Sequence, residues 1–202
     1  MRSLLIAAAV LGLAAPASAQ TTFGLKGGLN VATFGGEDAV NSEARLGVVA
    51  GAFARVPFTP LLALQVEGLY SQKGEEYLNT AGFTESTRLD YLEVPATLRL
   101  SVPANPALDL GVSAGGYVGV PLNGRVEVDG VVEDDLELNT DYGFVVGADL
   151  GSGPFTIDAR YSQGLTEAID FDPVLGSNLD KTNQVISLTF GYRFGGGGYG
   201  RY

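Results

Sequence analysis

The sequence predicts an all-β fold, an eight-stranded antiparallel up-and-down transmembrane β-barrel, and three observations carry that reading. Eight segments alternate apolar and polar residues with period two, which puts one row of side chains on each face of a strand. The connections between them alternate short and long along the chain, the turn pattern of a membrane barrel. Aromatic residues gather toward both ends of the segments, at the levels where a bilayer meets water.

The elements follow in chain order. Residues 1–19, MRSLLIAAAVLGLAAPASA, join the positive Arg2 to an apolar stretch and a small-residue site, Ala17-Ser18-Ala19. That is the form of a secretory signal peptide cleaved after Ala19, and the run is too short for a membrane-spanning helix. Residues 20–194 then form the barrel domain. Strands are expected near 23–34, 46–58, 62–73, 89–102, 107–120, 142–150, 155–164 and 184–194. Most exceed the length of about 5–6 residues usual in soluble sheets and suit a tilted strand of about 9–11 residues crossing a bilayer. FTP (58–60), PANP (103–106) and GSGP (151–154) are tight links, and 35–45, 74–88, 121–141 and 165–183 are long polar ones. With an even number of strands, both mature termini fall on the short-turn, periplasmic side. The closing GGGGYGRY, 195–202, reads as a flexible Gly-rich tail.

Splitting each strand into its faces separates two kinds of row. In YLEVPATLRL, residues 91–100, Leu92, Val94, Ala96, Leu98 and Leu100 oppose Glu93, Pro95, Thr97 and Arg99. The last strand sets Ile186, Leu188, Phe190, Tyr192 and Phe194 against Val185, Ser187, Thr189, Gly191 and Arg193. The second strand is ambiguous, because Phe53 shares a face with Arg55. A soluble lipocalin-like barrel would turn the apolar row inward around a ligand, and a membrane barrel turns it outward. The polar rows are mostly Gly, Ser, Thr and Gln rather than the Lys and Glu of a water-facing surface. Their few charges balance: Lys26, Arg55, Arg99, Arg160 and Arg193 against Glu67, Glu93, Asp109, Asp149 and Asp158. Buried charges must be paired, so these ten residues are expected to form an ion-pair network in a side-chain-filled lumen. The membrane-interface aromatics are then Tyr70, Tyr91, Tyr142 and Tyr161 at the long-loop ends, and Phe23, Phe58, Phe155, Tyr192 and Phe194 at the short-turn ends. Pro95 cannot donate to a ladder, so a bulge or one missing ladder bond is expected beside it, in the outer third of its strand.

Composition removes several kinds of chemistry. The chain has no His and no Cys, so Ser-His catalysis, thiol nucleophiles and His or thiolate metal sites are absent. No cofactor is implied and the protein is read as a non-enzyme. GGLN (27–30) and GGYVG (115–119) open no helix, so their reading is close packing in a narrow barrel rather than phosphate binding. Without the leader, 11 basic residues face 23 acidic ones, which argues against nucleic acid. The acidic surplus sits in EVDGVVEDDLELNTD (127–141) and EAIDFDP (167–173), expected as solvated loops; bridging by Ca²⁺ is the sharper alternative, though no spacing matches an EF-hand.

Taken together, YLEVPATLRL, GVSAGGYVGVPL, DYGFVVGADL, FTIDARYSQGL and the closing ISLTFGYRF resemble the PorT-like outer-membrane β-barrel proteins, an OmpX-sized group of eight-stranded barrels. The resemblance covers residues 22–194. It implies residence in the outer membrane of a Gram-negative-type bacterium, contact with its lipid and lipopolysaccharide, and insertion by the BAM machinery. It also implies a terminal aromatic insertion signal, matched here by Phe194 but followed by eight further residues. The function expected is a structural or interaction role through acidic extracellular loops with an unidentified partner. A narrow porin-like channel and a soluble ligand-binding barrel are the alternatives.

Overall fold

The computed structural model describes residues 21–35, 43–78, 84–105, 108–128, 131–133, 139–167 and 182–194. The signal peptide, the Gly-rich tail and most of the two acidic stretches lie outside the described residues. The strands are β1 (Thr22–Gly35), β2 (Glu43–Pro57), β3 (Leu62–Leu78), β4 (Thr84–Asn105), β5 (Leu108–Val128), β6 (Val131–Glu133), β7 (Asp141–Ser152), β8 (Phe155–Glu167) and β9 (Thr182–Phe194).

Eight of these form a closed antiparallel wall. β1 to β5 pair in succession, β5 pairs β7, β7 to β9 pair in succession, and β9 returns to β1. The wall therefore has no free edge, the condition for carrying backbone polar groups through a hydrocarbon layer. The remaining strand, β6, pairs only with the far end of β5, through Val126↔Glu133 to Val128↔Val131.

Three strands run beyond the hydrophobic pattern. The β3–β4 ladder continues to Leu78↔Thr84 and the β4–β5 ladder to Glu85↔Val128. Much of 74–88 and of 121–128 is thus strand where connections were expected. No apolar row runs through Glu75, Glu76, Ser86 and Thr87, so periodicity is silent there while backbone pairing goes on.

The two faces of the wall are inverted relative to a soluble protein. Leu25, Leu29, Ile186 and Leu188 are each more than half exposed on the outside, whereas Lys26 and Glu67 inside are 7% and 3% exposed. Charged groups are buried this deeply only where they find partners. Phe53 proves to be inward with Arg55, whose guanidinium carbon lies 6.0 Å from the ring centre.

Pro95 interrupts one ladder and not the other. Pairing between β3 and β4 lapses from Val66↔Ala96 to Leu69↔Glu93 with register unchanged, while Pro95 stays in step with Tyr117 of β5. A ring with no N–H drops a bond without forcing an extra residue. The break is at mid-strand, not in its outer third. The irregularity with an extra residue comes later, where Asp90↔Asn123 is followed by Tyr91↔Pro121 and Leu122 is left over. Beyond it the faces of β5 exchange, so Gly124 turns inward and Asn123 and Arg125 share the outer face with Asp90 and Arg88.

Glycine at the inner wall is required where neighbouring backbone comes close. A Cβ at Gly115 would collide with the Ala96 carbonyl oxygen and lie 2.7 Å from the Thr97 Cα. Both obstacles are backbone of the paired strand and cannot rotate away. Gly115→Val is expected to lower the stability of the refolded barrel by about 1–3 kcal/mol, the usual cost of overpacking, measured by urea unfolding followed by circular dichroism. Gly68→Ala, where nothing lies within 4 Å of the added carbon, is the neutral comparison.

Candidate functional site: an ion-paired barrel interior

Period-two alternation sends every second side chain inward, and an eight-stranded wall leaves an interior only as wide as those side chains. Charges brought there have little water to turn to, so the arrangement of partners decides whether the barrel is stable. The structure arranges them in three tiers.

At the short-turn end, Arg99 holds Asp149 through both Nε at 2.8 Å and Nη2 at 2.6 Å, and reaches Asp109 at 3.0 Å. Arg55 lies 3.7 Å from Asp109 and 3.8 Å from Asp149, and Arg193 lies 3.6 Å from Asp109. Gln65 accepts from Arg55 Nε at 2.8 Å, and Arg193 Nη2 donates to the Gly153 carbonyl. The two-pronged Arg99–Asp149 contact is the stronger geometry, because the planar guanidinium matches a carboxylate.

The middle tier is a closed square of charges. Arg160 donates to Glu67 at 2.9 Å and to Asp158 at 2.9 Å, while Lys26 lies 3.2 Å from Glu67 and 3.3 Å from Asp158. Gln65 and Thr189 donate to the same carboxylates at 2.5 Å and 3.4 Å. Each anion therefore meets both cations, and each accepts one further side-chain hydrogen bond.

The third tier, toward the long connections, centres on Lys73. Its ammonium lies 2.5 Å from Glu93 Oε1, an ion pair without hydrogen-bond alignment, and donates to Asp141 Oδ2 at 2.8 Å. The rings of Tyr117 and Tyr91 stand 4.7 Å and 5.1 Å from the same nitrogen. Asp141 also accepts from the Tyr117 hydroxyl at 3.0 Å and from Asn183 Nδ2 at 2.9 Å. Between the middle and third tiers lies a small cavity that touches Arg160 on one side and Glu93 on the other. It is bordered by the inward apolar side chains Val49, Leu69 and Val185.

All ten charged residues singled out from sequence lie in these tiers. Two more belong with them, Lys73 and Asp141, and both are buried completely or nearly so. Their addition makes the interior six cations and six anions. Asp141 was expected in the solvated acidic loop 127–141; it is instead the first residue of β7, with its side chain inward. Face parity could have found both, since Lys73 continues the Ser71 row and Asp141 the Val145 and Asp149 row.

One interface aromatic requires correction. Tyr91 is wholly buried in the interior and is not a membrane-interface residue. Face parity requires this, because Tyr91 lies two residues from Glu93 and shares its face. The other eight stand on the outer side. Phe23, Phe58, Tyr142, Phe155, Tyr192 and Phe194 are 43–59% exposed, and Tyr70 and Tyr161 are partly covered by neighbours. Phe155 packs on Phe190 and on Tyr192 with ring centres 5.6 Å apart, and Tyr192 on Phe194 at 5.3 Å.

Among the described residues no group of three or more acidic side chains is arranged to hold a metal ion.

A closed eight-stranded wall, apolar outside and ionic inside, defines an outer-membrane β-barrel. Residues 17–170 match the outer membrane protein beta-barrel domain family, and the chain belongs to it. That membership assigns the protein to a Gram-negative outer membrane. Among solved structures, neisserial surface protein A aligns over 87% of this chain and 100% of its own, at 10% identity and a TM-score of 0.53. Pseudomonas aeruginosa OprG aligns over 87% and 96% at 11% identity with a TM-score of 0.48. Yersinia pestis Ail aligns over 87% and 100% at 18% identity with a TM-score of 0.45. At these identities the likeness concerns the fold alone, and the first of the three carries it. No curated protein matches the chain.

Lys73 is the cation whose loss leaves most behind, since both Glu93 and Asp141 would remain buried without a counter-charge. Lys73→Met is expected to destabilise the barrel by about 3–5 kcal/mol. Adding Glu93→Gln and Asp141→Asn should recover more than half of that loss. Urea midpoints of the refolded proteins in lipid vesicles check both.

Proposed function

We propose that this protein is a non-conducting outer-membrane barrel whose role is structural or interactive, exercised through the long connections at one end. The observation that carries this reading is the occupied interior. Three tiers of paired charges, with apolar side chains bordering the cavity between two of them, stand in the path a solute would take. No step of the reading calls on a catalytic residue. Within the family, the order of YLEVPATLRL, GVSAGGYVGVPL and ISLTFGYRF supports a PorT-like member. Its termini lie in the periplasm, its outer leaflet partner is lipopolysaccharide, and its assembly uses the BAM machinery through the aromatic end of β9 at Phe194.

Two measurements test the proposal. In planar bilayers the purified barrel is expected to give no steady single-channel current. Sizeable ohmic steps would favour the narrow-channel alternative. For orientation, the chain's lack of cysteine makes single-cysteine labelling clean. Asp135→Cys in the acidic stretch should react with a membrane-impermeant maleimide on intact cells, and Thr59→Cys in a short turn should react only after lysis.

A further inference from the structure

The cavity between the middle and third tiers has its cause in the residues that border it. On β8 the inward row passes from Asp158 and Arg160 to Ser162, whose short side chain fills less of the barrel's width. On β4 the border is Pro95, at the place where the β3–β4 ladder lapses. Measured for the centre of a water-sized molecule, the room left is about 10 Å³, the lower bound for holding one water.

Two buried residues on this border carry polar groups that lack a hydrogen bond. Ser162 is 8% exposed, and among the described residues its hydroxyl has no hydrogen-bond partner. Glu93 is also 8% exposed, and its Oε1 is ion-paired with Lys73 without hydrogen-bond alignment. Leaving such groups dry is costly. Two more hydroxyls border the cavity with their hydrogens already committed. Ser187 Oγ donates to Asn30 Oδ1 at 2.8 Å and Thr189 Oγ1 to Asp158 Oδ1 at 3.4 Å, so each keeps lone pairs that can accept.

We infer that this cavity is a binding site for one water molecule, held by Ser162 and Glu93 and completed by Ser187 or Thr189. The water accepts from the Ser162 hydroxyl and donates to the Glu93 carboxylate and to one of the two committed hydroxyls. That gives the three hydrogen bonds usual for an internal water. The charges on the border select a neutral guest, since Arg160 opposes a metal cation and Glu93 opposes an anion. An apolar guest would leave the same polar groups unpaired. Val49, Leu69 and Val185 supply no side-chain partner, so the water is single and not one of a file. Ser162 belongs to β8, Ser187 and Thr189 to β9, and Glu93 to β4, so the water joins walls that share no ladder and ties the third tier to the middle one.

The test uses the full mature barrel in detergent, with Ser162→Val to fill the space and Ser162→Ala to remove the hydroxyl alone. A crystal of the parent is expected to show one ordered oxygen within hydrogen-bond distance of Ser162 Oγ and the Glu93 carboxylate, and Ser162→Val none. In micelles, oxygen-17 relaxation dispersion should count one long-lived water fewer in Ser162→Val than in the parent. Ser162→Ala should keep the water but shorten its residence roughly fivefold, the effect of losing one hydrogen bond. Heat-modifiable gel migration checks that each variant is folded, and the parent crystal with Ser162→Ala decides the matter even if valine prevents folding. A dry cavity in the parent, or equal counts and residence times in parent and variants, overturns the site. Anomalous density in the cavity after soaking with rubidium or bromide would overturn the assignment to water.

Discussion

Everything in this barrel depends on one constraint: a charge that period-two alternation sends inside a closed, narrow wall must find its opposite there. The wall itself is set by backbone pairing, which needs closure because hydrocarbon offers no partner to a free edge. Closure at eight strands then fixes the width of the interior. The side chains that fill it are consequently not a free choice. Glu67 meets two cations and Asp158 meets the same two, an arrangement in which removing any corner leaves a desolvated charge behind. Such networks gain little over an apolar filling of the same shape, but breaking them is costly. Their consequence here is positional, since each tier ties together strands far apart in sequence, as Lys26 of β1 does with Glu67 of β3 and Asp158 of β8.

The same constraint explains why the interior also contains aliphatic side chains. Val49, Leu69 and Val185 border the cavity between the middle and third tiers. Around them the field between charges is weakly screened, which strengthens each paired contact and raises the cost of an unpaired one. Polar groups border the same cavity, with Glu93, Arg160, Ser162, Ser187 and Thr189 beside the aliphatic side chains. Occupied tiers and apolar packing thus act together in the reading of a barrel that does not conduct.

Much of the fold is legible in the residues because alternation is a strong signal when both faces are chemically distinct. β4, β8 and β9 show it plainly. It weakens where a face mixes types, as in β2 with Phe53 beside Arg55, and it vanishes where pairing continues without an apolar row, as from Gly74 to Glu76. The site residues follow the same division. Lys26, Glu67, Arg99, Asp149, Asp158 and Arg160 stand within clear rows. Lys73 and Asp141 lie at strand ends next to polar sequence, where a charged residue reads as loop. Tyr91 was assigned by its type rather than its face, and parity with Glu93 is what places it inside. The leftover Leu122 has no signature in composition at all; it emerges from how β4 and β5 keep register.

The central claim is that β4 has a lipid side and an ion-paired side, alternating residue by residue. The most direct measurement places a nitroxide at each position from 92 to 100 in turn, in barrels reconstituted into bilayers, and compares collisions with oxygen and with a water-soluble nickel complex. High oxygen accessibility is expected at Leu92, Val94, Ala96, Leu98 and Leu100, and low accessibility to both reagents at Glu93, Thr97 and Arg99. Nickel accessibility at the even positions, or a profile without period two, would contradict it.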